Sequence, residues 1–156
     1  MLVSTLYGAC AGALDRFIER SRGATAVSSG QSYTGQSTFQ IRIGRAAALL
    51  DTVEMTARRR LSDVHAMLEH SGKVDVMYAA RVRRDAAYLA SLCVEAIDVL
   101  FGAGGGSSLQ LSNPLQRAWR DVHAGAANFT LQWDVAGPAY GRVMLGLPSG
   151  LPGMPT

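Results

Sequence analysis

His123 is the side chain in this sequence best suited to acid–base chemistry, and it lies four residues after Trp119. Residues four apart on an α-helix share one face, so the imidazole and the indole are expected to lie side by side. An imidazole titrates near neutral pH and can accept a proton from a weakly acidic hydroxyl group. A single histidine on a helix also commonly has a purely structural role, and the residues alone leave both roles open.

A glycine-rich turn at residues 102–106 is the second candidate for chemistry. Gly104, Gly105 and Gly106 have no side chains to keep a ligand away from the backbone. Glycine also adopts positive φ readily, so amide groups in this turn could approach a phosphate. The same residues can simply end a helix, and the number of glycines alone favours that second role.

The composition indicates one domain with a sizeable apolar core, since 48% of the 156 residues are hydrophobic and 17% are charged. Aromatic residues make up only 7%, and the predominance of Ala, Leu and Val favours packed helices over sheets. The net charge is only +3, and the arginines are interspersed with acidic residues, which argues against nucleic acid as a partner. No stretch approaches the roughly 20 apolar residues of a membrane span, so we expect a cytoplasmic protein.

The two cysteines, Cys10 and Cys93, are far apart in the sequence. Neither has metal-ligand spacing to the other or to a histidine, so no metal site is predicted. Both lie in apolar stretches and are interpreted as small buried side chains in a reducing compartment.

Long helical stretches are expected to position these residues. Apolar side chains recur every three or four residues over residues 2–22, 38–70 and 74–101. The first of these stretches begins without a capping residue, which suggests that more chain precedes it. The third is apolar on several faces from Ala86 onward and needs many neighbours, which an oligomer would provide.

A fourth helix begins after Asn113, which is expected to cap it, with Pro114 at its first position. A further helical segment covers residues 131–146 and is interrupted at Gly137-Pro138. The sequence therefore predicts an all-α fold, an up-and-down four-helix bundle over residues 1–146. The Pro- and Gly-rich residues 147–156 are predicted to form a flexible tail.

Several segments resemble flavoenzymes of the acyl-CoA dehydrogenase fold. Residues 101–106 (FGAGGG) are similar to the glycine turn that follows the penultimate long helix of the C-terminal domain in these enzymes. Residues 113–124 (NPLQRAWRDVHA) resemble the next helix of the two-component flavin-dependent monooxygenases, whose oxygenase components hydroxylate phenols. Residues 131–142 resemble the C-terminal segment of the same enzymes, and residues 11–15 and 83–88 fit their first and third helices.

The resemblance implies the C-terminal helical domain of a three-domain enzyme whose other two domains hold most of the flavin. Such a domain completes a flavin and substrate site at the centre of a homotetramer and is expected to be inactive alone. The implied cofactor is FMN or FAD, supplied in reduced form by a separate flavin reductase. The missing domains would belong to the same gene or to a separate partner chain.

The same resemblance assigns roles to individual residues. The three glycines of the turn approach the flavin phosphate or ribityl chain, and Arg22, or Arg20 in its place, contacts cofactor phosphate. The catalytic residue is His123, which deprotonates the phenol or hydrogen-bonds the oxygenated flavin. Some relatives carry a second histidine shortly afterwards, where this chain has Ala126, Ala127 and Asn128.

Two alternatives are also considered. The first is a non-catalytic helical module that mediates oligomerisation. The second is an acyl-CoA dehydrogenase-type domain, which needs a carboxylate base beside the flavin. The Glu-Gly pair that many dehydrogenases carry after the arginine-rich helix is absent here, but some relatives place the base at the start of the first helix.

Overall fold

Five α-helices follow one another in the computed structural model, which describes residues 2–23 and 32–154. The helices are α1 (Leu2–Arg22), α2 (Ser37–Ser71), α3 (Val76–Ala103), α4 (Pro114–Ala126) and α5 (Trp133–Met144). No β-strand is present in these two described ranges, so the predicted all-α fold is confirmed, with one α-helix more than the four expected. Residues 155 and 156 of the predicted tail lie outside the described residues.

Local sequence signals set the helix ends. Gly72 ends α2 with a left-handed φ of 68°, and its N–H donates to the carbonyl of Leu68 at 2.9 Å. The side chain of Asp75 accepts a hydrogen bond from the N–H of Tyr78 at 2.8 Å, so α3 begins two residues later than predicted. The predicted cap of α4 is confirmed, since Asn113 Oδ1 accepts from the N–H of Leu115 at 3.1 Å.

Helix α3 lies at the centre of the bundle and packs against α1, α2, α4 and α5. Its second half is buried on most sides, as predicted, and Leu89, Ile97 and Leu100 are among the largest fully buried side chains. The other helices of the same chain therefore cover the apolar faces of α3 for which the sequence suggested burial in an oligomer. By length and composition alone α3 could cross a membrane, but here it is the core helix of the bundle.

Helix α2 is buried unevenly along its 35 residues. Its four buried side chains, from Phe39 to Val53, all lie in the first half. Beyond Val53 the apolar side chains of Met55 and Leu61 are 67% and 66% exposed. The apolar seam predicted along the whole helix is thus covered mainly in its first half, and in the second half Ala57 still packs against the core.

Helix α5 runs without a break through Gly137 and Pro138, so the predicted interruption there is wrong. A proline removes one helical hydrogen bond, and its ring clashes most with a preceding residue that carries a Cβ atom. Gly137 has no Cβ, which removes that second penalty. The start of the predicted tail folds back on this helix, where Arg142 Nε donates to the carbonyl of Pro148 at 2.8 Å.

The two cysteines meet in the core between α1 and α3, and both are fully buried. Cys10 Sγ donates to the backbone carbonyl of Cys93 at 3.3 Å. A hydrogen bond with the Cys93 side chain and burial raise the pKa of the Cys10 thiol, which stays protonated at neutral pH. Their interpretation as small buried side chains is confirmed.

Candidate functional site

A cavity of about 130 Å³ lies where the end of α1, the start of α2, the glycine turn and the start of α4 meet. Phe17, Phe39 and Leu115 form part of its apolar wall. Two arginines, Arg16 and Arg20, also line it, whereas none of the described lining residues is Asp or Glu. A small pocket with two positive charges and no negative charge favours an anionic group.

Asn113 connects three of the four segments that surround this cavity. Its Oδ1 atom accepts hydrogen bonds from Leu115 N and from Arg20 Nη1, the latter at 3.0 Å. Its Nδ2 atom donates to the carbonyl of Ser107, directly after the glycine turn, at 2.9 Å. The cap of α4 therefore also holds the α1 arginine in place and fixes the position of the residue after the glycine turn.

The three predicted glycines have different surroundings. A Cβ atom on Gly104 would overlap the hydroxyl of the fully buried Ser108, which donates to the carbonyl of Phe101 at 2.8 Å. Gly105 has a φ of 58°, a conformation that favours glycine. Gly106 has nothing within 4 Å of its Cβ position. The turn itself therefore needs Gly104 and Gly105. Of the three glycines only Gly104 lines the cavity, whereas Gly106 leaves the backbone open to a ligand.

The structure distinguishes between the two candidate arginines of α1. Arg22 is exposed at the last position of the helix and is not among the residues that line the cavity. Arg20 lines it and reaches Asn113. Of the two, Arg20 is the one that shares a cavity with the glycine turn.

His123 belongs to a second cluster, formed with Trp119 on α4 and Asp98 on α3. The two rings lie 4.3 Å apart between centroids, and His123 Nδ1 is 2.9 Å from the carbonyl oxygen of Trp119. Trp119 Nε1 donates to Asp98 Oδ1 at 2.6 Å, and His123 Nε2 is 3.5 Å from the same oxygen. The expected pairing of His123 with Trp119 is confirmed, and the imidazole remains about one-third exposed.

The structure does not bring His123 to the cavity, although the two sites are connected. Phe101, immediately before the glycine turn, packs on Trp119 with its ring centroid 5.0 Å away. Asp98 was not singled out as a site residue from the sequence. Its signal was its position as one of only two charged residues in the apolar second half of α3, the other being Glu95.

Known proteins match this chain along nearly its whole length. Residues 1–133 match the family described as acyl-CoA dehydrogenase, C-terminal domain. The oxygenase component of the FADH(2)-dependent resorcinol hydroxylase of Rhizobium sp. (strain MTP-10005) is 34% identical, over 94% of this chain and 38% of its own. The oxygenase subunit HsaA, a flavin-dependent monooxygenase of Mycobacterium tuberculosis, is 31% identical, over 96% of this chain and 37% of its own.

Solved structures agree with these relatives. XiaF from Streptomyces sp., determined in complex with FADH2 and glycerol, superposes with a TM-score of 0.88 at 29% identity. The match covers 97% of this chain and 38% of XiaF. The chain thus spans less than two-fifths of the length of each of these relatives and corresponds to their C-terminal part. It belongs to the acyl-CoA dehydrogenase C-terminal domain family, and its relatives are oxygenase components of flavin-dependent monooxygenases.

Proposed function

We propose that this chain acts as the C-terminal helical domain of a flavin-dependent monooxygenase, where it completes the site for reduced flavin and a phenolic substrate. The observation that carries the proposal is the cavity at the glycine turn, with Arg16, Arg20 and the start of α4 around it. Relatives named for FADH2 and for resorcinol support FAD over FMN, and a phenol as substrate. A separate flavin reductase would supply the reduced cofactor in the cytoplasm.

The cavity fits a phosphate-sized part of a flavin but not the whole molecule. Ligand pockets for whole cofactors are about 300–1,000 Å³, whereas this cavity is about 130 Å³. The guanidinium groups of Arg16 and Arg20 would hold the phosphate, and Gly106 would allow the adjoining chain of the cofactor to pass close to the backbone. When bound, the reduced flavin supplies the electrons that activate O2. The remaining surface of the flavin must be covered by the other domains of the enzyme.

His123 is the proposed catalytic residue. The carbonyl of Trp119 can only accept a hydrogen bond, so Nδ1 carries a hydrogen and Nε2 has the free lone pair. Nε2 would take the proton of the phenolic hydroxyl, which makes the ring carbon more electron-rich for oxygen transfer. The exposed part of the imidazole is then the part that faces the substrate once the other domains are docked.

The chain alone is expected neither to retain flavin nor to hydroxylate phenols, because its cavity encloses too little of the cofactor. The test is gel filtration of the purified chain with FAD or FMN, followed by absorbance of the protein peak. Hydroxylation of resorcinol is then assayed with a flavin reductase and NADH. Stoichiometric flavin in the protein peak, or product formation without another domain, would contradict this part of the proposal.

We also expect the chain to self-associate, as a tetramer in the full enzyme. Leu61 and Leu68 motivate this expectation, because they lie seven residues apart on one face of α2 and are 66% and 46% exposed. Analytical ultracentrifugation at about 10–50 μM, where weak interfaces begin to dissociate, should show an oligomer. Leu61→Glu should shift it to monomer, whereas Ser62→Glu on the adjacent exposed position should not. A compact wild-type monomer at these concentrations would count against the interface.

The two alternatives make different demands on the structure. A dehydrogenase needs a carboxylate base beside the flavin, and none of the described residues that line the cavity supplies one. A pure oligomerisation module would bind its partner through the exposed apolar side chains of α2, and it would not need a cavity lined by arginines. Phosphate-dependent protection of Arg20 from a guanidinium-modifying reagent would therefore favour the monooxygenase domain over this second alternative.

A further inference from the structure

Asp98 stands out because its carboxylate lies on the surface of the bundle yet has fixed partners. It is about half exposed, and its Oδ1 atom accepts a 2.6 Å hydrogen bond from Trp119 Nε1 across the α3–α4 interface. Phe101 packs on the same indole at 5.0 Å between ring centroids. The indole therefore holds the carboxylate in one direction, and that direction brings Oδ1 to 3.5 Å from His123 Nε2.

The imidazole of His123 has a hydrogen-bond acceptor near each of its nitrogens. The carbonyl of Trp119 is 2.9 Å from Nδ1, a normal hydrogen-bond distance, and it requires a hydrogen on that atom. The Asp98 oxygen is 3.5 Å from Nε2, which is long for a hydrogen bond but within ion-pair range. The neutral ring therefore keeps an accessible lone pair on Nε2 beside a fixed negative charge.

This arrangement suits one chemical event, the arrival of a proton on Nε2. When a phenolic O–H gives up its proton, the electron pair of that bond stays on the phenolate oxygen. The Nε2 lone pair forms the new N–H bond. The resulting imidazolium keeps its Nδ1–H on the Trp119 carbonyl, its new Nε2–H points to the phenolate oxygen, and the Asp98 carboxylate lies 3.5 Å from Nε2 as a counter-charge. The positive charge is then compensated without movement of either helix.

We infer that Asp98 is a positioning residue for His123: it anchors the stacked Trp119 ring and compensates the charge that the imidazole gains. The catalytic part of this inference rests on the proposed function, in which His123 accepts the substrate proton. The positioning part concerns this chain alone. It predicts that the direction of the imidazole depends on a carboxylate 25 residues away in the sequence.

The positioning is tested on the chain itself by NMR of the imidazole carbon-bound protons, at a pH high enough to keep all histidines neutral. The ring of His123 lies over the indole, so its signals should be displaced from those of the exposed His65, which serves as the reference. Asp98→Ala removes the anchor of Trp119, and the His123 signals should move toward those of His65. In Asp98→Asn the amide oxygen still accepts from Trp119, so the displacement should remain.

The catalytic part is tested in the enzyme assembled with its flavin-binding domains. Both Asp98 variants should lower kcat by about 10- to 100-fold while KM stays nearly constant. Asp98→Asn removes the charge beside the base, Asp98→Ala removes the charge and the anchor of Trp119, and both keep the substrate contacts. Glu95→Ala is the matched control. Glu95 lies one turn before Asp98 on α3, and its carboxylate pairs with Arg45 on α2. This substitution should change neither kcat nor the His123 signals.

The outcomes separate the two claims. Unchanged His123 signals in Asp98→Ala would overturn the positioning role, whatever the enzyme does. Normal kcat in both variants, with the His123 signals moved toward those of His65 in Asp98→Ala, would overturn the catalytic part. If the assembled wild-type enzyme hydroxylates no phenol, the proposed function fails, and the NMR comparison still decides whether Asp98 positions the imidazole.

Discussion

Replacement of His123 by alanine should lower hydroxylation by about 10²–10⁴-fold in the assembled enzyme, the usual contribution of a positioned general base. The melting temperature of the bundle should stay nearly unchanged. The imidazole is one-third exposed and packs against Trp119 near the surface, so its removal leaves a space open to solvent instead of a buried cavity. Rates are measured under single-turnover conditions with reduced flavin, and stability by circular dichroism.

His65→Ala is the matched control for this prediction. His65 also lies on a helix near a carboxylate, with its Nε2 atom 3.2 Å from Glu69, but it is far more exposed and has no described aromatic neighbour. Its removal should leave the rate unchanged. A large loss of stability in His123→Ala, with normal activity per folded molecule, would instead identify His123 as a packing residue.

The largest effect on stability is expected from Asp85→Ala, which should lower the free energy of unfolding by about 3 kcal/mol. Asp85 is buried on α3, and its two oxygens are each 2.5 Å from a guanidinium nitrogen, one of Arg60 on α2 and one of Arg84. Arg84 in turn lies 4.2 Å from the centre of the Tyr140 ring on α5. The hydrogen bond that Arg60 Nε donates to Asp85 raises the pKa of Arg60 above its usual value. Removal of the carboxylate leaves the largely buried Arg84 without its carboxylate partner, and it leaves Arg60 with only the longer 3.4 Å contact to Asp63.

Urea unfolding followed by circular dichroism measures this loss. The control is Glu95→Ala, because the Arg45–Glu95 pair is exposed and such pairs contribute about 0–1 kcal/mol. The two variants remove the same kind of interaction at different depths. A loss below about 1 kcal/mol for Asp85→Ala would mean that water solvates both arginines well enough to replace the carboxylate.

The helices and their ends could largely be predicted from the sequence, because the signals for them are local. Asn113 was expected to cap α4 and does, and α3 was expected to be buried on most sides and is. The covering of α3 was assigned to an oligomer because a sequence pattern shows how much surface a helix must bury but not how many neighbours it has. Helix α5 is one of these neighbours; it was predicted as a segment interrupted at Gly137-Pro138, whereas it continues through Pro138.

The members of the site could be predicted only where a single helix brings them together. Trp119 and His123 share a helical face, and their contact was foreseen. Asp98 reaches them from α3, and this contact depends on the crossing and register of two helices, which no local pattern encodes. The choice between Arg20 and Arg22 has a similar cause. Two residues along a helix correspond to roughly 200° of rotation, so only one of the two can face the glycine turn.

The uneven burial of α2 implies that the helix does not open as one unit. Ala57, Arg60 and Asp63 still tie α2 to the core and to α3. Residues 64–71 lie beyond them and contribute no buried side chain, so their backbone hydrogen bonds can break without exposing the core. Amide hydrogens there should exchange through local fraying from Ser71, while those around Ala46 and Leu50 should exchange only when the whole bundle unfolds. A partner subunit that covers this end of α2 would suppress the local fraying. All of its amide hydrogens would then exchange only when the whole bundle unfolds, and the helix would unfold cooperatively along its full length.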